Sequence, residues 1–96
     1  MIFSYSFLPK AYKDVKQIRE WYDEQSNLAD DNFLDELEWY ITKITNQPDR
    51  YLEIVPNIRR CIMRRFPYKI FYTIDGNAVI ILRVRHHKQK PLKRFK

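Results

Sequence analysis

The chain has 96 residues, 45% of them hydrophobic and only one a glycine, and carries a formal net charge of +6. Domains cluster at about 100–150 residues, so this length leaves room for one hydrophobic core and excludes a second; the composition excludes a disordered chain. The longest apolar runs, such as Val79-Ile80-Ile81-Leu82, fall well short of the ~20 residues needed to cross a bilayer, which excludes a membrane helix.

Residues 2–8 alternate loosely through Ile2, Phe3, Tyr5 and Phe7, and predict a first strand closed by Pro9. From Pro9 the period changes. Ala11, Val15, Ile18 and Tyr22 form the single stripe of an amphipathic helix, and Trp21 widens it; Pro9 suits the first turn, where its missing N–H has no helical partner. The polar run Asp23 to Asn27 interrupts the pattern. Asp30 or Asp31 is then placed to cap a second helix, whose apolar face is Phe33, Leu37, Tyr40, Ile41 and Ile44 and which ends at Asn46 and Pro48. Both tryptophans, Trp21 and Trp39, are read as packing residues of this helical hairpin.

After Pro48 the residues favour strands. Ile58 to Phe66 mixes basic and apolar residues, Tyr68 to Ile74 is rich in β-formers, and Asp75-Gly76-Asn77 supplies a turn before Ala78 to Arg85. The order is strand, two helices, then a three-stranded antiparallel meander, an α+β class with the hairpin over one face of the sheet. Residues 1–96 form one domain. The tail from His86 to Lys96 contains Pro91 and no helical stripe.

Strand alternation sorts the side chains. Tyr68, Ile70, Tyr72 and Ile74 share one face, leaving Lys69, Phe71 and Thr73 opposite; Ala78, Ile80, Leu82 and Val84 share one face, leaving Val79, Ile81, Arg83, Arg85 and His87 opposite. If the apolar sets meet the helices, Lys69, Arg83, Arg85 and His87 project together from the open face. Arg60 and Arg64 lie on one side of the preceding strand, Arg59 and Arg65 on the other. His86 falls in phase with the core set and reads as a structural histidine.

Charge is unevenly divided along the chain. Residues 1–56 hold six Lys+Arg against eleven Asp+Glu, a balance of −5, and residues 57–96 hold twelve against one, a balance of +11. The basic half is expected to face a polyanion or an acidic partner segment. The lone cysteine, Cys61, has no partner for an internal disulfide and reads as a small core residue. With no signal-peptide pattern at Met1-Ile2-Phe3-Ser4-Tyr5, a cytoplasmic location is expected. Nothing in the spacing calls for a metal or a cofactor.

Several short patterns occur in a fixed order: Ile18-x-x-Trp21-Tyr22, Phe33-x-x-Glu36-Leu37, Pro48-x-x-Tyr51, Ile58-Arg59-Arg60, Arg65-Phe66-Pro67-Tyr68-x-Ile70-x-Tyr72 and Val79-x-x-Leu82-x-Val84-x-His86. Together they resemble the RelE/ParE toxin superfamily over nearly the whole chain, most nearly its ParE-like plasmid-stabilisation branch. The resemblance implies the toxin of a type II toxin-antitoxin system. Its basic sheet face and surrounding grooves would receive an extended antitoxin with an acidic binding segment, in a toxin-antitoxin hetero-oligomer. Arg59, Arg60, Arg64, Arg65, Lys69, Arg83 and Arg85 are the candidate contacts to antitoxin or nucleic acid.

Two targets follow from the resemblance. ParE-like members inhibit DNA gyrase without being nucleases; RelE-like members are ribosome-dependent, metal-independent endoribonucleases that cut mRNA. In the second case Lys69 stands where the ribonucleases carry a catalytic arginine, Arg83 and Arg85 would hold the scissile phosphate, and His87 or His86 would serve as acid or base. A lysine cannot grip a phosphate bidentately, the tail ends Phe95-Lys96 without a titrating ring, and Trp21-Tyr22 and Phe66-Pro67 look ParE-like. The expectation is therefore a gyrase inhibitor, with the ribonuclease as the alternative.

Overall fold

The structure, a computed structural model, describes residues 3–25 and 29–88. Strand β1 (Ser4–Phe7) leads into helix α1 (Pro9–Gln25), which forms a hairpin with α2 (Ala29–Asn46); a 3-10 turn (Pro48–Arg50) precedes β2 (Leu52–Val55), β3 (Ile58–Ile62), β4 (Tyr68–Asp75) and β5 (Ala78–His86). The five strands make one sheet in the order β1-β5-β4-β3-β2. Among the described residues only β1 against β5 is parallel; the other pairs are antiparallel. No helix among the described residues is long and apolar enough to cross a membrane. The predicted tail beyond Lys88, the start of the first strand at Ile2 and the end of the polar run at 26–27 lie outside the described residues.

Both helices form where the sequence period places them, and they bury the expected side chains. Ala11 and Ile18 of α1 and Phe33, Leu37, Tyr40, Ile41 and Ile44 of α2 meet Cys61, Met63, Ile70, Tyr72, Val79, Ile81 and Val84 from the sheet. An aromatic group closes the hairpin end of this core: Tyr22, Phe33, Phe66 and Tyr68 lie with ring centroids 5.2–6.3 Å apart, mostly edge to face. Tyr72, fully buried, donates its hydroxyl to the Pro48 carbonyl and so ties the 3-10 turn to the sheet.

Five expectations are corrected. Trp21 and Trp39 are not packed: they are 53% and 56% exposed, and the neighbouring Tyr22 and Tyr40 take the inward positions. α2 begins at Ala29, so Asp30 and Asp31 lie in its first turn rather than capping it; their charge favours the positive helix end, and Asp30 binds Arg19 at 2.9 Å. A further strand, β2, precedes the meander, and Pro56 with Asn57 at φ +69° makes the turn into β3, a positive φ that Asn tolerates. The strand expected over Ile58 to Phe66 stops at Ile62.

The fifth correction concerns β5. Phe71 pairs with Arg83 and Tyr72 with Ile81, so Leu82 is an extra residue in the ladder. Such a bulge reverses the alternation. Val79 and Ile81 are fully buried before it and Val84 after it, whereas Ala78, Ile80 and Leu82, expected in the core, are half-buried on the other face. The change of phase leaves Arg83 and Arg85 opposite the helices, as the sequence reading had them.

Burial shifts several acidic groups upward. The Cys61 thiol is pushed up to about 12 from an ordinary 9.0, and the phenols of Tyr68 and Tyr72 are raised above their ordinary 10.0, in each case chiefly by desolvation. The folded state thus favours the neutral forms. Their contribution is intact below the ordinary values and is lost as pH climbs through the raised ones. The urea midpoint is expected to be flat from pH 7 to 8.5 and to fall steadily above pH 10, and native Cys61 is expected to react with a disulfide reagent at pH 8 about a hundredfold more slowly than the denatured thiol.

Candidate functional site

The sheet face opposite the helices is built in cross-strand rows. Leu52, Arg60, Phe71 and Arg83 are successive partners across β2, β3, β4 and β5, and Ile62, Lys69 and Arg85 form the adjoining row. Leu52, Val55 and Ile62 are 61%, 45% and 45% exposed, an apolar strip among cations. Isolated exposed apolar side chains are ordinary; here three share a sheet face with basic residues. The Arg60 Nε is buried and has no hydrogen-bond acceptor among the described residues. An unpaired guanidinium N–H in that position is costly until an acceptor arrives.

The predicted cations separate into distinct roles. Lys69 and Arg85 pair across β4 and β5 and remain on the open face with Arg60. Arg83 starts on that face, but its guanidinium is held by Asp14 of α1 through two bonds of 2.7 and 2.9 Å, and that hydrogen bond raises its pKa further. The same carboxylate accepts the Val84 N–H at 3.0 Å, covering the part of the β5 edge that β1 does not reach. Arg59 lies on the helical side and donates to the carbonyls of Asp49 and Tyr51 at 3.0 and 2.6 Å, a fastening for the 3-10 turn. Arg64 and Arg65 belong to the connection after β3, where Tyr40 Oη and Glu36 Oε2 accept the backbone N–H groups of Arg64, Arg65 and Phe66.

The two histidines have backbone and ring partners. His86 is on the helical side, edge-on to Tyr68 at 5.3 Å, and its Nδ1 accepts the Lys88 N–H. His87 lies beyond the end of β5, where its N–H is bound by the Pro67 carbonyl and its Nε2 is 3.1 Å from the Tyr68 carbonyl. The expected quartet of Lys69, Arg83, Arg85 and His87 is thus divided: two cations on the face, one paired with a carboxylate, one imidazole in a turn. Asp14→Ala is expected to cost about 2–3 kcal/mol, because it strands the half-buried Arg83 and the Val84 N–H together; a urea titration of the variant measures this.

Sequence reading missed Asp14, Glu36 and Tyr40 as tertiary anchors, and missed the apolar strip. For Leu52 and Val55 a signal was present: a short β-forming run before Pro56-Asn57. For Asp14 there was none, because its partners lie 69 and 70 positions away.

A five-stranded sheet with a helical hairpin on one side is a small α+β fold. A family model described as the ParE toxin of the type II toxin-antitoxin system parDE matches residues 5–91, and the chain belongs to that family. A chain from the chromosomal ParDE toxin-antitoxin system of P. aeruginosa superimposes with a TM-score of 0.76 at 17% identity, over 88% of this chain and 96% of that one. The RelBE2 toxin-antitoxin complex from Mycobacterium tuberculosis gives 0.62 at 21% identity over 90% and 99%. A mutant of the E. coli toxin RelE in the free state gives 0.66 at 14% identity over 92% and 86%. No curated protein matches.

Proposed function

We propose that this chain is a cytoplasmic toxin that inhibits DNA gyrase by protein-protein contact, and that a cognate antitoxin silences it by laying an acidic, partly apolar segment over the open sheet face. The observation that carries the first half is the division of the candidate catalytic set. RNA cleavage needs an acid and a base beside a phosphate clamp, placed to act on one bond. Here Arg83 is neutralised by Asp14, His86 is turned to the helices and His87 sits past the strand end. The second half is supported by the exposed Leu52, Val55 and Ile62 beside Arg60 and Lys69, with the Arg60 Nε lacking an acceptor among the described residues. An antitoxin carboxylate would satisfy that N–H and stabilise the complex.

The test is a paired assay of the purified chain. With gyrase, DNA supercoiling is expected to stop, and Lys69→Ala and His87→Ala are expected to inhibit like the parent protein. With translating ribosomes, mRNA is expected to stay intact. Cleaved mRNA that disappears with either substitution would assign the protein to the RelE-like ribonucleases, with Lys69, Arg85 and His87 in the site.

A further inference from the structure

On the helical side of the molecule, away from the open sheet face, a surface cleft of about 460 Å³ runs between α2 and the connection from β3 to β4. Trp39, 56% exposed, lines it together with Arg64 and Arg65. The backbone under the two arginines is tied to α2, since three consecutive N–H groups are bound by Tyr40 and Glu36. Their guanidinium groups have no hydrogen-bond or ion-pair partner among the described residues. Lys43 places its ammonium 5.1 Å from the Trp39 ring centroid. Of the two carboxylates lining the cleft, Glu36 is already engaged by backbone N–H groups, which leaves Asp35.

Three cations near one exposed indole, two of them on a backbone anchored to α2, are the composition of a binding hot spot: an aromatic anchor with arginines beside it. The charge favours an anion and the indole an apolar neighbour. A nucleic acid would satisfy both locally, but its backbone would continue along α2, which carries five acidic residues and a single lysine. A protein segment with one carboxylate beside one apolar side chain meets the cations without that repulsion.

We infer that the Trp39, Arg64 and Arg65 cleft is the surface through which this protein seizes its target, taking an acidic protein segment, while the antitoxin uses the opposite face of the sheet. The inference rests on the gyrase reading above. Both surfaces are then separately mutable, because the sheet lies between them.

The experiment measures binding to purified gyrase and inhibition of supercoiling for the full chain, for Trp39→Ala, for Arg64→Glu with Arg65→Glu, and for Ile62→Asp on the open face. A labelled single-stranded RNA is titrated in parallel. All four side chains are exposed, and far-UV circular dichroism with a thermal melt checks that each variant is folded. Loss of about tenfold or more in gyrase affinity for both cleft variants, with Ile62→Asp within twofold of the parent, supports the inference. Parent-like gyrase binding by the cleft variants overturns it, as does RNA affinity that falls with the cleft variants while gyrase binding holds. A parent protein that neither binds nor inhibits gyrase overturns the gyrase reading itself, and this inference with it.

Discussion

Phe33→Ala is expected to lower the melting temperature by about 15–25 °C, or to leave the chain unfolded at 37 °C, as read by circular dichroism. Phe33 is fully buried and touches three other rings, with centroids at 6.0 Å to Tyr22, 5.6 Å to Phe66 and 5.4 Å to Tyr68. Truncating such a ring removes about 3–5 kcal/mol through lost burial and the cavity left behind. Domains of this size have a total stability of only about 5–10 kcal/mol, and each kcal/mol shifts the midpoint by about 4–8 °C. The effect is also non-local, because the same rings join α1, α2 and the connection to β4. A melting temperature within about 5 °C of the parent would mean that the ring cluster closes around the cavity and that the hairpin is held elsewhere.

The second large effect is expected on the open face. Ile62→Asp combined with Lys69→Glu is expected to weaken the complex with the cognate antitoxin by about a hundredfold or more, measured by calorimetry, with the melting temperature of the isolated chain changed by only a few degrees. Ile62 and Lys69 are direct partners across β3 and β4, one 45% exposed and the other half-buried, so two carboxylates there alter the surface and leave the core alone. An acidic partner segment then meets like charge in place of an apolar contact and a cation, and a central pair of contacts carries a disproportionate share of binding energy. Arg83→Gln serves as the contrast. Because Asp14 already holds that guanidinium, its loss is expected to lower stability and to change antitoxin affinity little. Unchanged affinity for the double variant would remove the open face as the antitoxin's seat.

Much of the fold was legible along the chain. The stripe of Phe33, Leu37, Tyr40, Ile41 and Ile44 could pack only one way, and each of these side chains is buried. Tyr68, Ile70 and Tyr72 likewise kept the phase their spacing demanded. Trp39 shows where periodicity misleads: in Trp39-Tyr40 either ring could have turned inward, and the choice fell to Tyr40, whose hydroxyl reaches the Arg64 N–H while the indole stays outside. The candidate site was legible as composition, a basic strand region, and not as geometry. Arg59, Arg60 and Arg83 are indistinguishable as letters, yet one fastens a turn, one has a buried N–H without an acceptor among the described residues, and one is bound to α1.

By itself the sequence determined the class, the two helices, the order of the main strands and the separation of an acidic second helix from a basic sheet, because hydrophobic period and charge are local properties of a chain. The tertiary structure alone decided which cations stand available. The single extra residue at Leu82 reversed the inward set of β5, and Asp14, 69 positions from Arg83, removed that arginine from the open face. Bulges and long-range ion pairs depend on how packed elements meet in space, and no local pattern records that meeting.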